Sequence, residues 1–216
     1  CRDWSSDVCS SDLMHIRRPY RIGITGGIGT GKSQVSRYLT SLGYPVLDAD
    51  QLARDVVEPG EIGWMRVVDK FGDAILNSDK TINRRKLGNM IFNDETLRKE
   101  LNAILHPIIH QRMEHSIEAY PNEIFVFMDV PLLFETDSKK NYDEVILVYA
   151  SEEIALARIV ERDQVTEAMA LKKIQAQMSI DVKKHLADYV LYNESDIGSL
   201  HEEVQNYLKS LYLRLK

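Results

Sequence analysis

The chain has 216 residues, 44% hydrophobic and 28% charged, with 11 glycines and 6 prolines. That balance excludes disorder and collagen and suits one folded domain or a domain with an insertion. Burial of roughly 70% of the unfolded surface at this length makes disulfides or a structural metal unnecessary for stability. Thirty-three acidic against 27 basic side chains give a formal charge of −6, which disfavours a nucleic-acid backbone or an anionic membrane as the main partner but allows a local basic pocket.

Residues 1–13 (CRDWSSDVCSSDL) have neither the basic nor the apolar region of a signal peptide. Their near-duplicate SSDV and SSDL mark them as a non-native leader, with Met14 as the expected start. Both cysteines, Cys1 and Cys9, fall there, so the body offers no thiolate metal site and no cysteine nucleophile, which fits a reducing cytoplasm. Residues 20–25 (YRIGIT) form a β-branched run that ends in a glycine cluster. Helical spacing follows over 33–42, closed by Gly43, and 45–48 (PVLD) reads as a second strand.

From Ala49 to about Tyr120 the pattern is helical: 52–57, 64–71, 85–92 and a long segment over 94–119, which Pro107 is expected to kink or divide. Apolar runs at 124–130 and 145–150 suit strands covered on both faces, and both are far short of the ~18 residues of a membrane span. Helices are expected at 152–162, 166–178, 181–186 and 199–213, with a last strand at 188–192 (DYVLY). Five strands alternating with helices predict an α/β fold with a parallel sheet, carrying a helical insertion of about seventy residues between the second and third strands.

The segment from Gly26 to Ser33 (GGIGTGKS) satisfies G-x-x-x-x-G-K-S/T between an expected strand and an expected helix, the context this motif requires. Glycines let the backbone N–H groups and the helix N-terminus wrap a phosphate, Lys32 supplies a cation for the β- and γ-phosphates, and the Ser33 hydroxyl is placed for Mg²⁺. Asp129 ends the apolar run after Ile124, either as the acid that supports the metal or as a turn or cap acid before Pro131.

No Asn-Lys-x-Asp segment of a guanine-specific switch occurs. Asp48 and Asp50 follow the second strand instead. Two apart on an extended chain, they face the same way from the sheet edge, where Asp50 can orient an acceptor hydroxyl and take its proton, with Asp48 as a metal-water or substrate contact. The alternative is that they cap the helix near Gln51. Arg158 and Arg162 lie one turn apart on a helix followed by Lys172 and Lys173, either as a basic lid for phosphates or as a solvated face balanced by Glu161 and Asp163. His106 and His110 have metal-ligand spacing, but no third ligand is evident in the sequence.

Taken together, these residues resemble the dephospho-CoA kinase family. The likeness runs from Tyr20 to about Leu208: ITGGIGTGKS, GYPVLDAD with LAR and VVEPG, FG at 71–72, ILHP at 104–107, DVPLLFE at 129–135, QAQM at 175–178, and ADYVLYN ending at Asn193. It implies a nucleoside-monophosphate-kinase-like, P-loop NTPase-type three-layer fold within one kinase domain, 14–216. That domain would comprise a core (20–50, 120–157 and 186–216), a helical CoA-binding insertion (51–119) and a lid (158–185).

The implied reaction is ATP-dependent phosphorylation of the ribose 3′-hydroxyl of dephospho-CoA, with Mg²⁺, in the cytoplasm. Carried onto this sequence, Asp50, Lys32 and Arg162 would be catalytic. Gly27, Ile28, Gly29, Thr30, Gly31, Lys32, Ser33, Arg158, Arg162 and Asn193 would bind ATP. Asp48, Asp50, Arg54, His106, Leu133 and Phe134 would line the acceptor pocket, and Ser33 and Asp129 would serve the metal. Departures are small: Thr30 and Gln34 stand where many relatives have Ser and Thr, and Asp163 follows Arg162. Rival readings are another small-molecule kinase or a nucleotide-gated binding protein.

Overall fold

The computed structural model describes residues 18–92 and 94–215; the expected leader and start at Met14 lie outside them. The chain divides into two compact units, one of residues up to Leu47 and from Tyr120 onward, the other Asp48–Ala119.

The first unit is built on a five-stranded parallel sheet in the order β2-β3-β1-β4-β5. Its strands are β1 (Tyr20–Gly26), β2 (Val46–Asp48), β3 (Phe125–Asp129), β4 (Glu144–Tyr149) and β5 (Tyr189–Tyr192). The expected strands all form, because continuous apolar runs suit strands with both faces covered. On one face Ile22, Ile24, Phe127, Ile146 and Leu191 pack against Val35 and Leu39 of α1 (Lys32–Ser41) and Leu200, Val204 and Leu211 of α9 (Ile197–Arg214). Register pairs Ile24 with Asp129 and Gly26 with Val148, so the end of β1 and the carboxylate of β3 share one sheet edge. Gly23 is small for a reason: a Cβ there would lie 2.7 Å from Leu133 Cδ1. Its missing side chain admits the loop that follows β3. Between β4 and α9 run α6 (Glu152–Asp163), α7 (Glu167–Gln175), α8 (Ile180–Leu186) and β5.

The second unit is helical: α2 (Ala49–Asp55), α3 (Ile62–Phe71), α4 (Arg84–Phe92) and α5 (Glu95–Glu118), around a core of Val67, Ile75, Leu87 and Leu101. Two features depart from expectation. Leu76 and Ile82 form an antiparallel bridge, turned by Asp79, whose carboxylate accepts from the Thr81 N–H and hydroxyl; two bridge residues are too few to leave a strand period in the sequence. Pro107 does not divide α5, which runs unbroken from Glu95 to Glu118. The proline removes one backbone donor, while burial of Leu101 and Ile108 on either side holds both halves to the unit's interior.

Candidate active site

The loop between β1 and α1 is shaped by its glycines and held by its neighbours. Gly29 and Gly31 have φ of 81° and 91°, a left-handed conformation that strains any residue with a Cβ. At Gly31 a Cβ would also collide with Asn193 Nδ2, and at Gly29 it would meet the Ala155 carbonyl at 2.7 Å. Asn193 is buried and donates from Nδ2 to the Thr30 carbonyl at 2.8 Å, and the buried Thr30 hydroxyl donates to the Gly27 carbonyl at 2.9 Å. The helix that follows has no capping side chain and no acid in its first turn. Its N-terminal donors are left for an anion. Above them opens a cleft of about 790 Å³, walled by Gly27, Lys32, Ser33, Arg158, Arg162 and Asn193.

Lys32 Nζ is paired with Asp129 Oδ1, and Ser36 Oγ donates to Asp129 Oδ2 at 2.6 Å. Asp129 is only 9% exposed, so these two partners compensate its burial. Ser33 is exposed. One carboxylate and one hydroxyl are a sparse donor set, and among the described residues no group of three His, Cys, Asp or Glu could cage a metal. That set fits Mg²⁺, which keeps several waters and takes substrate phosphate oxygens rather than a full protein cage.

The two arginines of α6 divide their tasks. Arg158 donates to the Asn193 and Ser195 carbonyls at 3.0 and 3.4 Å, and so clasps the chain after β5 to the cleft wall. Arg162, one turn on, has a side chain 60% exposed and donates to Asp163 at 2.7 Å. Asp163 also pairs with Lys173 of α7 at 2.6 Å. Hydrogen bonds from Arg162 and then Lys173 hold the Asp163 carboxyl well below the usual range. Opposite the loop, Gln177 Oε1 accepts the Ile28 N–H at 2.8 Å.

In the helical unit, Asp48 caps α2, its Oδ1 accepting the Gln51 N–H at 2.9 Å. The helix starts at Ala49, so Asp48 is extended and Asp50 helical, and the shared direction expected of two positions on one extended strand does not apply. Asp50 lies in the first turn with its side chain 53% exposed, and Arg54 reaches it at 4.0 Å. Both edge a cavity of about 400 Å³ with an apolar floor of Val57, Val67, Ile82, Leu87 and Leu105 and a third polar residue, Arg84, at its rim. Of the remaining expected acceptor residues, His106 is exposed on α5 and outside this cavity's lining. Leu133 is fully buried beneath Gly23, and Phe134 half-buried.

Arg84, Ser36 and the contact of Gln177 escaped sequence reading. Arg84, Arg85 and Lys86 are consecutive cations, and nothing local says which one edges a cavity. Ser36 does stand one turn after Lys32, a spacing that could have pointed to it.

A parallel sheet of this order, a glycine loop feeding a helix, and a basic helical segment beside the cleft define a P-loop small-molecule kinase. Shikimate kinase from Acinetobacter baumannii shares the fold, with a TM-score of 0.50 and 17% identity over 94% of this chain and 98% of its own. The dephospho-CoA kinase family model matches residues 20–199, and the chain belongs to that family. It is 43% identical over 190 residues to the dephospho-CoA kinase of Oceanobacillus iheyensis, covering 87% of this chain and 96% of the relative. It is 40% identical to that of Staphylococcus aureus, covering 88% and 93%. Among solved structures it resembles dephospho-CoA kinase from Campylobacter jejuni, with a TM-score of 0.64 and 26% identity over 88% and 96% of the two chains.

Proposed function

We propose that the chain transfers the γ-phosphoryl group of ATP to the ribose 3′-hydroxyl of dephospho-CoA, giving coenzyme A and ADP. The observation that carries this reading is the phosphate loop, whose donors face an open cleft lined by Lys32, Ser33, Arg37, Arg158 and Arg162, in a chain of this family. The loop N–H groups and Lys32 hold the triphosphate, with phosphate oxygens competing against Asp129 for the Lys32 ammonium. Arg162 exchanges Asp163 for phosphate oxygens as negative charge shifts during transfer. Ser33 and Asp129 would hold Mg²⁺, which when bound with ATP neutralises charge on the β- and γ-phosphates.

Asp50 orients the acceptor hydroxyl and accepts its proton as the oxygen attacks phosphorus in line with the departing ADP oxygen. Its exposure suits it to meet a ligand. Arg54 beside it and Arg84 across the same rim face the anionic part of the acceptor, while the apolar floor takes an uncharged portion. A cytoplasmic setting belongs to the same proposal. The test is ADP release by purified protein with dephospho-CoA, shikimate and a panel of nucleosides. Turnover selective for dephospho-CoA is expected; ATP binding with no phosphorylation of it would overturn the reading.

A further inference from the structure

Lys183 of α8 has 0% exposure and is among the largest fully buried side chains of the described chain, a place lysine takes almost only when its charge is met. Its Nζ lies 2.7 Å from Glu135 Oε1 without an aligned hydrogen bond, so the attraction is between charges. The same Oε1 accepts the Met178 N–H at 3.2 Å. One carboxylate therefore holds both the turn that joins α7 to α8 and the helix that follows it.

Glu135 is itself anchored to the strand that leads into the phosphate loop. Two residues earlier Leu133 fills the space left by Gly23, Val130 N–H donates to the Ile24 carbonyl at 2.9 Å, and Thr25 Oγ1 donates to the Pro131 carbonyl at 3.2 Å. From the turn, contacts return to the loop. Gln177, next to Met178, takes the Ile28 N–H, and Ile180 Cδ1 lies 3.6 Å from where a Gly27 Cβ would be.

We propose that Glu135 and Lys183 are positioning residues, a buried latch that fixes the α7–α8 turn against the tip of the phosphate loop, with Gln177 as the side chain that touches it. Stability alone does not call for a charged pair here, since well-packed apolar residues of similar volume commonly do as well. A charged pair with one carboxylate shared between a buried ammonium and a backbone N–H does impose register on the turn. The consequence for turnover rests on the kinase reading above; the consequence for the loop does not.

The test uses the ligand-free full chain for hydrogen exchange at the Ile28 amide, and ATP with dephospho-CoA for kinetics. The double variant Glu135→Leu/Lys183→Met keeps an apolar filling, and we expect it to melt near the wild-type temperature. Ile28 should nonetheless exchange faster, and kcat/KM for ATP should fall about 10- to 100-fold, as misplacement of reacting groups does. Lys183→Arg, which keeps the charge, should retain most of the protection and turnover that Lys183→Met loses. Gln177→Ala alters no buried charge and gives a second reading if the double variant does not fold: it too should speed exchange at Ile28. Wild-type exchange at Ile28 in Gln177→Ala, or wild-type exchange and ATP kinetics in a folded double variant, would overturn the latch. So would Lys183→Arg behaving no better than Lys183→Met. If the wild-type chain fails to phosphorylate dephospho-CoA, the exchange measurements alone judge the latch.

Discussion

The phosphate loop and the helical unit's cavity present their polar groups in opposite ways. Around the loop the partners are buried or tied to backbone: Asn193 on the Thr30 carbonyl, Thr30 on Gly27, Ser36 and Lys32 on Asp129. At the cavity rim Asp50 and Arg54 stand about half exposed with one long ion pair between them, and Arg84 is exposed as well. The difference teaches that the fold fixes the backbone around the loop in advance, so that in the proposed reaction only the side-chain cations Lys32 and Arg162 change partners. The cavity rim, proposed for the acceptor, keeps its charges in water until a ligand displaces it. Substitutions in the loop should therefore disturb binding and turnover together, and those at the rim should separate them.

The largest effect is expected from Lys32→Ala, which removes the loop's mobile cation. Turnover should fall about 10²- to 10³-fold with weaker ATP binding, read by ADP release and by calorimetry with ATP. Intact ATP affinity in that variant would break the comparison, because the loop would then not be the triphosphate site. Next, Asp50→Asn should lower kcat by about 10²-fold and leave ATP affinity and melting temperature near wild type. Near-normal turnover would take the proton-accepting role away from Asp50. Arg84→Ala should raise KM for dephospho-CoA about tenfold, the cost of one charge-assisted contact, with KM for ATP unchanged. A rise for ATP instead would show that the rim does not serve the acceptor.

The smallest effect concerns Asp163. Its carboxyl is held below the ordinary value by Arg162 and Lys173, so the folded state favours the ionised form. The stability this supplies is present above the unfolded aspartate pKa and is lost as pH falls through the lower folded value. Melting curves across pH should show Asp163→Asn slightly less stable than wild type at neutral pH and converging with it in acid. A difference that persists in acid would mean that Asp163 acts by packing rather than by charge.

What could be read from residues alone was whatever short-range chemistry dictates. Gly29 and Gly31 with Lys32 and Ser33 announce a phosphate loop because only glycine suits those dihedrals and only a helix start follows. The β-branched and apolar runs announce the strands because a sheet covered on both faces needs them. Asp48 illustrates where such reading stops. Its carboxylate had two local uses, a cap or a metal-water or substrate contact, and the start of α2 at Ala49 shows the first. Pro107 argued for a kink or a break, and the break did not form, with Leu101 and Ile108 buried on either side. Leu133 looked like a pocket residue until Gly23 proved to be the space it fills. Which of Arg84, Arg85 and Lys86 edges a cavity, and that Lys183 is buried against Glu135, depended on segments distant in the chain. Facing and burial are set by what packs opposite, and no local pattern of residues encodes that.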